Sequence, residues 1–296
     1  MSHKNLQITP FIDPFVDWSF KRIFSTEESK VALIGFLNEI LRGRKHIVSI
    51  EYSKNEHPGE IKEEGGATID VSCTGDDGGK FLIEIQRGYQ QYFKERALYY
   101  TSRLISEQAP KGNRKDWKYN LTEVYLIALL ENFNFPDSND DEYLHDICLV
   151  NRRTGKIFYD KLSYTYIEMC NFVKTEQELD SALDKWLFAL KHMKELPEQP
   201  AYLSGPEFEK LFSLARYANL TKEERAMYNA SLKAKWDNKN VMDYAVEQGV
   251  ERGREEERLK IAINLISKMD FSDEVIADLA DLPVAKIKQL REDLNK

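Results

Sequence analysis

Residues 69–86 read IDVSCTGDDGGKFLIEIQ, two runs of alternating character on either side of a glycine-rich turn. In the first run Ala67, Ile69, Val71 and Cys73 share one side and Thr68, Asp70, Ser72 and Thr74 the other. In the second, Phe81, Ile83 and Ile85 oppose Lys80, Leu82, Glu84 and Gln86. Period-two alternation marks strands, and the GDDGG between them marks a hairpin. Glu84 and Gln86 lie two residues apart and point to one side of their strand. Two carboxylates, Asp70 and Glu84, converging on one sheet face with no base between them repel each other unless a cation neutralises them. A hard divalent ion with oxygen ligands, magnesium or manganese, is the natural resolution. A solvated outer face would carry the same residue types, so spacing alone leaves both readings open.

The metal reading sets a condition on register. Residues directly opposite in an antiparallel pair share a face, so Asp70 must stand across from Glu84 or Gln86. A two- or four-residue loop centred on Asp77-Gly78 would put Asp70 beside Ile85, on the wrong face. A three-residue loop, Asp76-Asp77-Gly78 with Gly78 left-handed, puts it beside Glu84. The chemistry therefore predicts an odd-length loop.

Working outward, Asp17 to Leu41 carries apolar residues at helical spacing, with Ser25-Thr26-Glu27-Glu28 as a cap in the middle, so two consecutive helices are expected. Ile47 to Ser53 alternates as a strand. Tyr89 to Gln108 reads as a long helix stopped by Pro110 and Gly112, and Leu121 to Leu130 as a strand buried on both faces. His145 to Val150 and Lys156 to Tyr159 suggest a second hairpin, with Tyr164 to Met169 as a further strand. Beyond Glu176 the pattern is helical: Glu176 to Glu195, Pro206 to Ala218, Lys222 to Trp236, the charged run Glu247 to Arg258, and short amphipathic helices from Ile261 to Leu294.

The 296 residues suffice for about two domains. Fifty acids against 42 bases give a charge of −8, so the chain as a whole offers no electrostatic argument for nucleic acid. The basic surface is local: from Arg87 to Lys118 there are eight bases and three acids, among them Arg87, Lys94, Arg96 and Arg103. Arg42, Arg44 and Lys45, and Arg152, Arg153 and Lys156, are candidates to extend it. Cys73, Cys148 and Cys170 lie far apart and signal neither a zinc site nor a disulfide framework. The longest apolar run, Val124 to Leu130, is far short of a membrane span, and a cytoplasmic protein is expected. No Walker, serine-hydrolase or zincin string occurs. Tyr99 and Tyr100 lack the histidine that tyrosine-nucleophile chemistry wants nearby, which favours a packing role.

The order helix, strand, Asp-bearing strand, Glu-x-Gln strand, helix, strand resembles the core of the PD-(D/E)XK nuclease superfamily. The resemblance is nearest to its Rpn branch, the bacterial recombination-promoting nucleases or transposases. It rests on Asp13-Pro14-Phe15-x-Asp17-x-x-Phe20-Lys21-x-Ile23-Phe24, Ile69-Asp70-Val71, Ile83-Glu84-Ile85-Gln86, Phe93-x-x-Arg96-x-x-Tyr99-Tyr100 and Gln108. It implies an α/β fold with an αβββαβ core on a mixed sheet, followed by an all-helical C-terminal region. It also implies that Asp70 and Glu84 ligate magnesium, that Gln86 replaces the superfamily lysine, and that Lys21 contacts phosphate. The expected activity is magnesium-dependent DNA endonuclease, serving recombination or defence against foreign DNA. A catalytically weak fold that binds DNA or protein is the alternative, and a DDE-type transposase the second. Domain boundaries are expected at 1–175 (nuclease), 176–246 (helical) and 247–296 (charged linker helix and helix-turn-helix-like tail). The tail carries twelve acids and nine bases, which suits assembly of a homo-oligomer better than groove reading.

Overall fold

The computed structural model describes residues 9–53, 69–88, 90–110, 117–139 and 141–294. The expected strand start at Ala67-Thr68, the helix start at Tyr89 and the bases Lys111, Arg114 and Lys115 lie outside these residues. Six strands form one mixed sheet: β1 Ile50–Tyr52, β2 Val71–Gly75, β3 Lys80–Gln86, β4 Val124–Leu130, β5 Leu144–Val150 and β6 Ile157–Glu168. Their order is β1-β2-β3-β4-β6-β5. β1, β2 and β3 pair antiparallel, β3, β4 and β6 run parallel, and β5 returns antiparallel on β6. Central β4 is buried at all seven positions, as its continuous apolar run requires.

The expected pair of N-terminal helices is present as α1, Asp17–Phe24, and α2, Lys30–Ile40. Between them Thr26 and Ser29 form a reciprocal capping box around one 3-10 turn. α3, Phe93–Glu107, starts four residues later than its apolar pattern, because Tyr92 sits in the left-handed region with φ 66° and breaks the helix there. α3 lies on the sheet face formed by Leu82, Leu126, Ala128, Leu130, Tyr164 and Tyr166, into which it inserts Phe93 and Ala97. The other helical layer contains α1, α2, α4 (Ala182–His192) and α5 (Pro206–Ala215). An aromatic chain joins them: Phe24 to Phe36 at 5.4 Å, Phe36 to Trp186 at 5.6 Å, Trp186 to Phe208 at 4.6 Å. The hydroxyls of Ser29 and Tyr52, 3.1 Å apart, tie this layer to β1.

Two expectations are corrected. Lys156 to Tyr159 and Tyr164 to Met169 fall in one twelve-residue strand, β6, because β5 pairs with Ile157 and Tyr159 and β4 offers a paired edge from Leu162 onward, with a bulge at the polar middle. The stretches from Lys222 to Arg258 and beyond are one continuous helix, α6, Lys222–Lys268. The chain divides into two compact units at Ser231 and Leu232, within α6. In the second unit α7, Asp273–Ala280, is capped by the Ser272 hydroxyl, and with α8, Val284–Leu294, it forms a small core of Ala262, Ile276, Ala277, Ala280 and Ile287.

Candidate active site

The hairpin closes as its chemistry requires. β2 and β3 pair Val71 with Ile83, Ser72 with Leu82, Cys73 with Phe81 and Thr74 with Lys80. Continuing that register sets Asp70 across from Glu84. The loop is Asp76-Asp77-Gly78: the Gly75 N–H donates to Gly79 O at 2.8 Å, and Gly78 has φ +86°. Asp77 Oδ1 accepts the Gly79 N–H at 3.0 Å and Asp76 Oδ1 the N–H groups of Val48 and Ser49, so the turn is tied on both sides. A Cβ at Gly78 would also come within 3.3 Å of Thr122 Cγ2. Gly78→Ala is therefore expected to cost about 1–2 kcal/mol, read as a lower urea midpoint at unchanged slope.

At Asp70 the strand alternation stops. β2 begins at Val71, the chain bends at Asp70, and Ile69 packs into the α3-side cluster. Asp70 Oδ2 accepts the Ile85 N–H at 2.9 Å, and Oδ1 lies 3.8 Å from Lys21 Nζ. The Asp17 carboxyl also meets it. Glu84 instead faces Arg96 of α3, with Nη2 3.6 Å from Oε1. The strict face-sharing expected from alternation thus ends one residue short of Asp70, whose side chain is engaged from α1 while Glu84 is engaged from α3. The physical reason is that a buried carboxylate takes the nearest donor and cation.

Burial pushes the Asp70 carboxyl up to about 7; the Ile85 N–H and Lys21 oppose this, and neighbouring Asp17 adds to it. Burial also raises Glu84, with Arg96 pulling the other way. Gln86 is buried with its amide fixed: Oε1 accepts from Arg96 Nη2 at 2.7 Å and Nε2 donates to Gly88 O at 2.7 Å. Arg96 thereby cross-links Glu84 and Gln86, and also meets Gln90. Its Nε is buried and has no hydrogen-bond partner among the described residues.

The candidate cations separate by what they meet. Lys21 forms ion pairs with Asp17 at 2.9 Å and with Asp70, so its charge is taken up inside the site rather than held out for phosphate. Arg103 pairs with Glu107 at 3.8 Å. Lys94 stands over the Phe135 ring at 4.6 Å, and neither it nor Arg87 has a carboxylate partner among the described residues. Tyr100 packs at the α3-side core and Tyr99 is half-exposed.

A family model described as PD-(D/E)XK nuclease family transposase matches residues 14–245, which take in the whole sheet, α1 to α5 and every residue above. The chain belongs to this family. Its mixed sheet with flanking helices and its helical C-terminal region are those of a PD-(D/E)XK member, and a nuclease- or transposase-like function follows from the membership. No curated protein and no solved structure matches the chain. Among the described residues no helix is long and apolar enough to cross a membrane.

Asp17 is the site residue that sequence reading passed over. It stood in the Asp-Pro-Phe-x-Asp string with no role assigned, and an acid in a helical first turn is favoured by the helix dipole in any protein. Only the fold brings it to Asp70.

Proposed function

We propose that this PD-(D/E)XK family member is a magnesium-dependent DNA endonuclease, with manganese able to substitute. The observation that carries this reading is the end of the β2–β3 hairpin, where Asp70, 13% exposed in its side chain, meets a second carboxylate, Asp17, beside buried Glu84 and Gln86. Among the described residues no three acid, histidine or cysteine side chains are already gathered about one point. The fit to a hard cation therefore rests on the Asp17–Asp70 pair, two oxygen donors whose mutual repulsion Lys21 and the Ile85 N–H partly offset.

Asp70 and Glu84 would hold the ion, and Asp17 would add a third carboxylate. Once bound, the ion polarises a phosphate oxygen and lowers the pKa of an attacking water. Arg96 orients Glu84 and Gln86 and keeps its unpartnered Nε as a donor for a phosphate oxygen. Lys94 and Arg87 add positive charge for the backbone. Breaks made this way would serve recombination or the destruction of foreign DNA. The helical C-terminal region would assemble copies of the chain: every residue from 236 to 257 of α6 is exposed, Met242, Val246 and Val250 included. Light scattering should then give a mass above the 34.6 kDa of one chain.

One observation favours a weaker catalyst. The Gln86 amide is spent on Gly88 and Arg96, and unlike a lysine it brings no charge to the transition state. Plasmid nicking separates the readings. With magnesium or manganese the wild type should nick supercoiled DNA, while EDTA, Asp70→Ala and Glu84→Ala should each abolish it. Equal behaviour of all three proteins in all three conditions would leave a DNA-binding module.

A further inference from the structure

β5 and β6 reach past the sheet. β4 pairs with β6 only from Leu162 onward, so Ile157 and Tyr159 have β5 as their strand partner and, among the described residues, no strand on the other edge. The turn at the tip is well defined: Asn151 Oδ1 accepts the N–H groups of Arg153 at 2.9 Å and Thr154 at 3.3 Å, and Gly155 takes φ +68°. From Val150 to Tyr159 the chain carries three bases and no acid. Phe158 is 80% exposed and Ile157 62%.

The three bases differ from the other basic cluster outside the site. Arg42 is neutralised by Glu39, Arg44 by Asp146 at 2.8 Å, and Lys45 by Asp77 and by Glu123 at 3.2 Å. Arg152, Arg153 and Lys156 have no carboxylate partner among the described residues. An overhanging ribbon that gathers unneutralised cations and large apolar side chains gains nothing for the fold, since neither is buried by it.

We propose that the β5–β6 ribbon is a second nucleic-acid contact, holding duplex DNA beside the candidate active site. The inference rests on the nuclease reading for its partner. The spacing follows from register: Lys80, Val124 and Leu162 form one row across β3, β4 and β6. Glu84 lies four residues beyond that row, and before it β6 bulges, four residues from Ser163 to Tyr159 passing one step of β5 from Cys148 to Leu149. Along β5, His145 stands across from Tyr166 in the row of Glu84 and Val150 across from Ile157, so five residues, about 17 Å, separate the ribbon from that row. A two-stranded ribbon fits the major groove, where Arg152, Arg153 and Lys156 reach phosphates and Phe158 lies against the groove wall.

Binding without cleavage tests this. Full-length protein in EDTA is titrated with a 20-bp duplex over a salt series, followed by anisotropy. Arg152→Ala/Arg153→Ala/Lys156→Ala should reduce the slope of log K against log salt by about 2–3 and weaken binding at least tenfold at 0.1 M salt. Arg152→Lys/Arg153→Lys should keep the wild-type slope, and Phe158→Ala should lose affinity several-fold with the slope unchanged. A triple variant with wild-type slope and affinity on this duplex overturns the inference. So does one that keeps DNA affinity but loses binding to phosphatidylserine vesicles, which would make the ribbon a lipid contact. Failure of the nuclease reading looks different: no nicking with metal, with ribbon-dependent binding intact.

Discussion

Asp70→Asn should abolish metal-dependent nicking and at the same time raise the stability of the metal-free protein. The two effects have one cause. Asp70 is largely enclosed, abuts Asp17, and has its carboxyl pushed up to about 7 from an ordinary 3.8. Below pH 3.8 the carboxyl is protonated in both folded and unfolded chains and costs nothing. As pH rises toward 7 the unfolded chain gives up its proton while the folded one resists, so folding loses stability across that window and stays penalised above it. Asparagine keeps an oxygen to accept the Ile85 N–H and never ionises. The full shift would correspond to about 4 kcal/mol at 1.36 kcal/mol per unit. The Lys21 attraction is already within that shift, and with 13% of the side chain exposed to screening water the expected gain is about 1–2 kcal/mol, a Tm gain of several degrees at pH 8 that shrinks toward zero at pH 4. Scanning calorimetry at the two pH values checks it, with nicking expected to fall by at least about 10³-fold. A variant no more stable than wild type at pH 8 would mean that Asp70 is solvated as an ordinary carboxylate, and the ligand assignment would lose its physical basis.

The parts of this site legible in the sequence are those set by local rules. Turn length fixes the parity of a hairpin, so GDDGG and the demand for a shared face were enough to specify the Asp76-Asp77-Gly78 loop, the left-handed Gly78 and the register. The central strand was legible from its apolar run, and the two N-terminal helices from a cap between them. What was not legible depends on residues distant in the chain. Whether Asp70 keeps the strand alternation is decided by Asp17 and Lys21, some fifty positions earlier. Whether Gln86 has a free amide is decided by Arg96 on the next helix. Counting bases in sequence ranks Arg42, Arg44 and Lys45 equal to Arg152, Arg153 and Lys156, and only the fold shows the first set neutralised and the second not. The length of β6 was missed because its support comes from β4, forty residues away.

The Arg96–Glu84 pair carries the second large effect, on stability first and on metal affinity second. Glu84 is 5% exposed, and Arg96 is the cation that pulls its raised pKa back down. Removing one partner of a buried pair leaves an uncompensated charge, which costs about 3–5 kcal/mol when fully enclosed. Arg96 is 22% exposed in its side chain, so Arg96→Ala should cost about 2–3 kcal/mol. The loss should grow with pH, because without Arg96 the folded-state pKa of Glu84 climbs further and the ionised form is penalised above it. In a Glu84→Gln background the same substitution should cost at least 1 kcal/mol less, a coupling readable from urea midpoints in a double-mutant cycle. Additivity would show that Arg96 serves Gln86 alone. A divalent cation offers a sharper discrimination. If Asp70 and Glu84 hold the ion, magnesium replaces the missing guanidinium charge and should raise the Tm of Arg96→Ala more than that of wild type, by the linkage of ligand binding to folding. The gain should vanish in Arg96→Ala/Glu84→Gln. Equal magnesium shifts with and without the Glu84 carboxylate would place the ion on Asp17 and Asp70 and leave Glu84 to act on the substrate through Arg96.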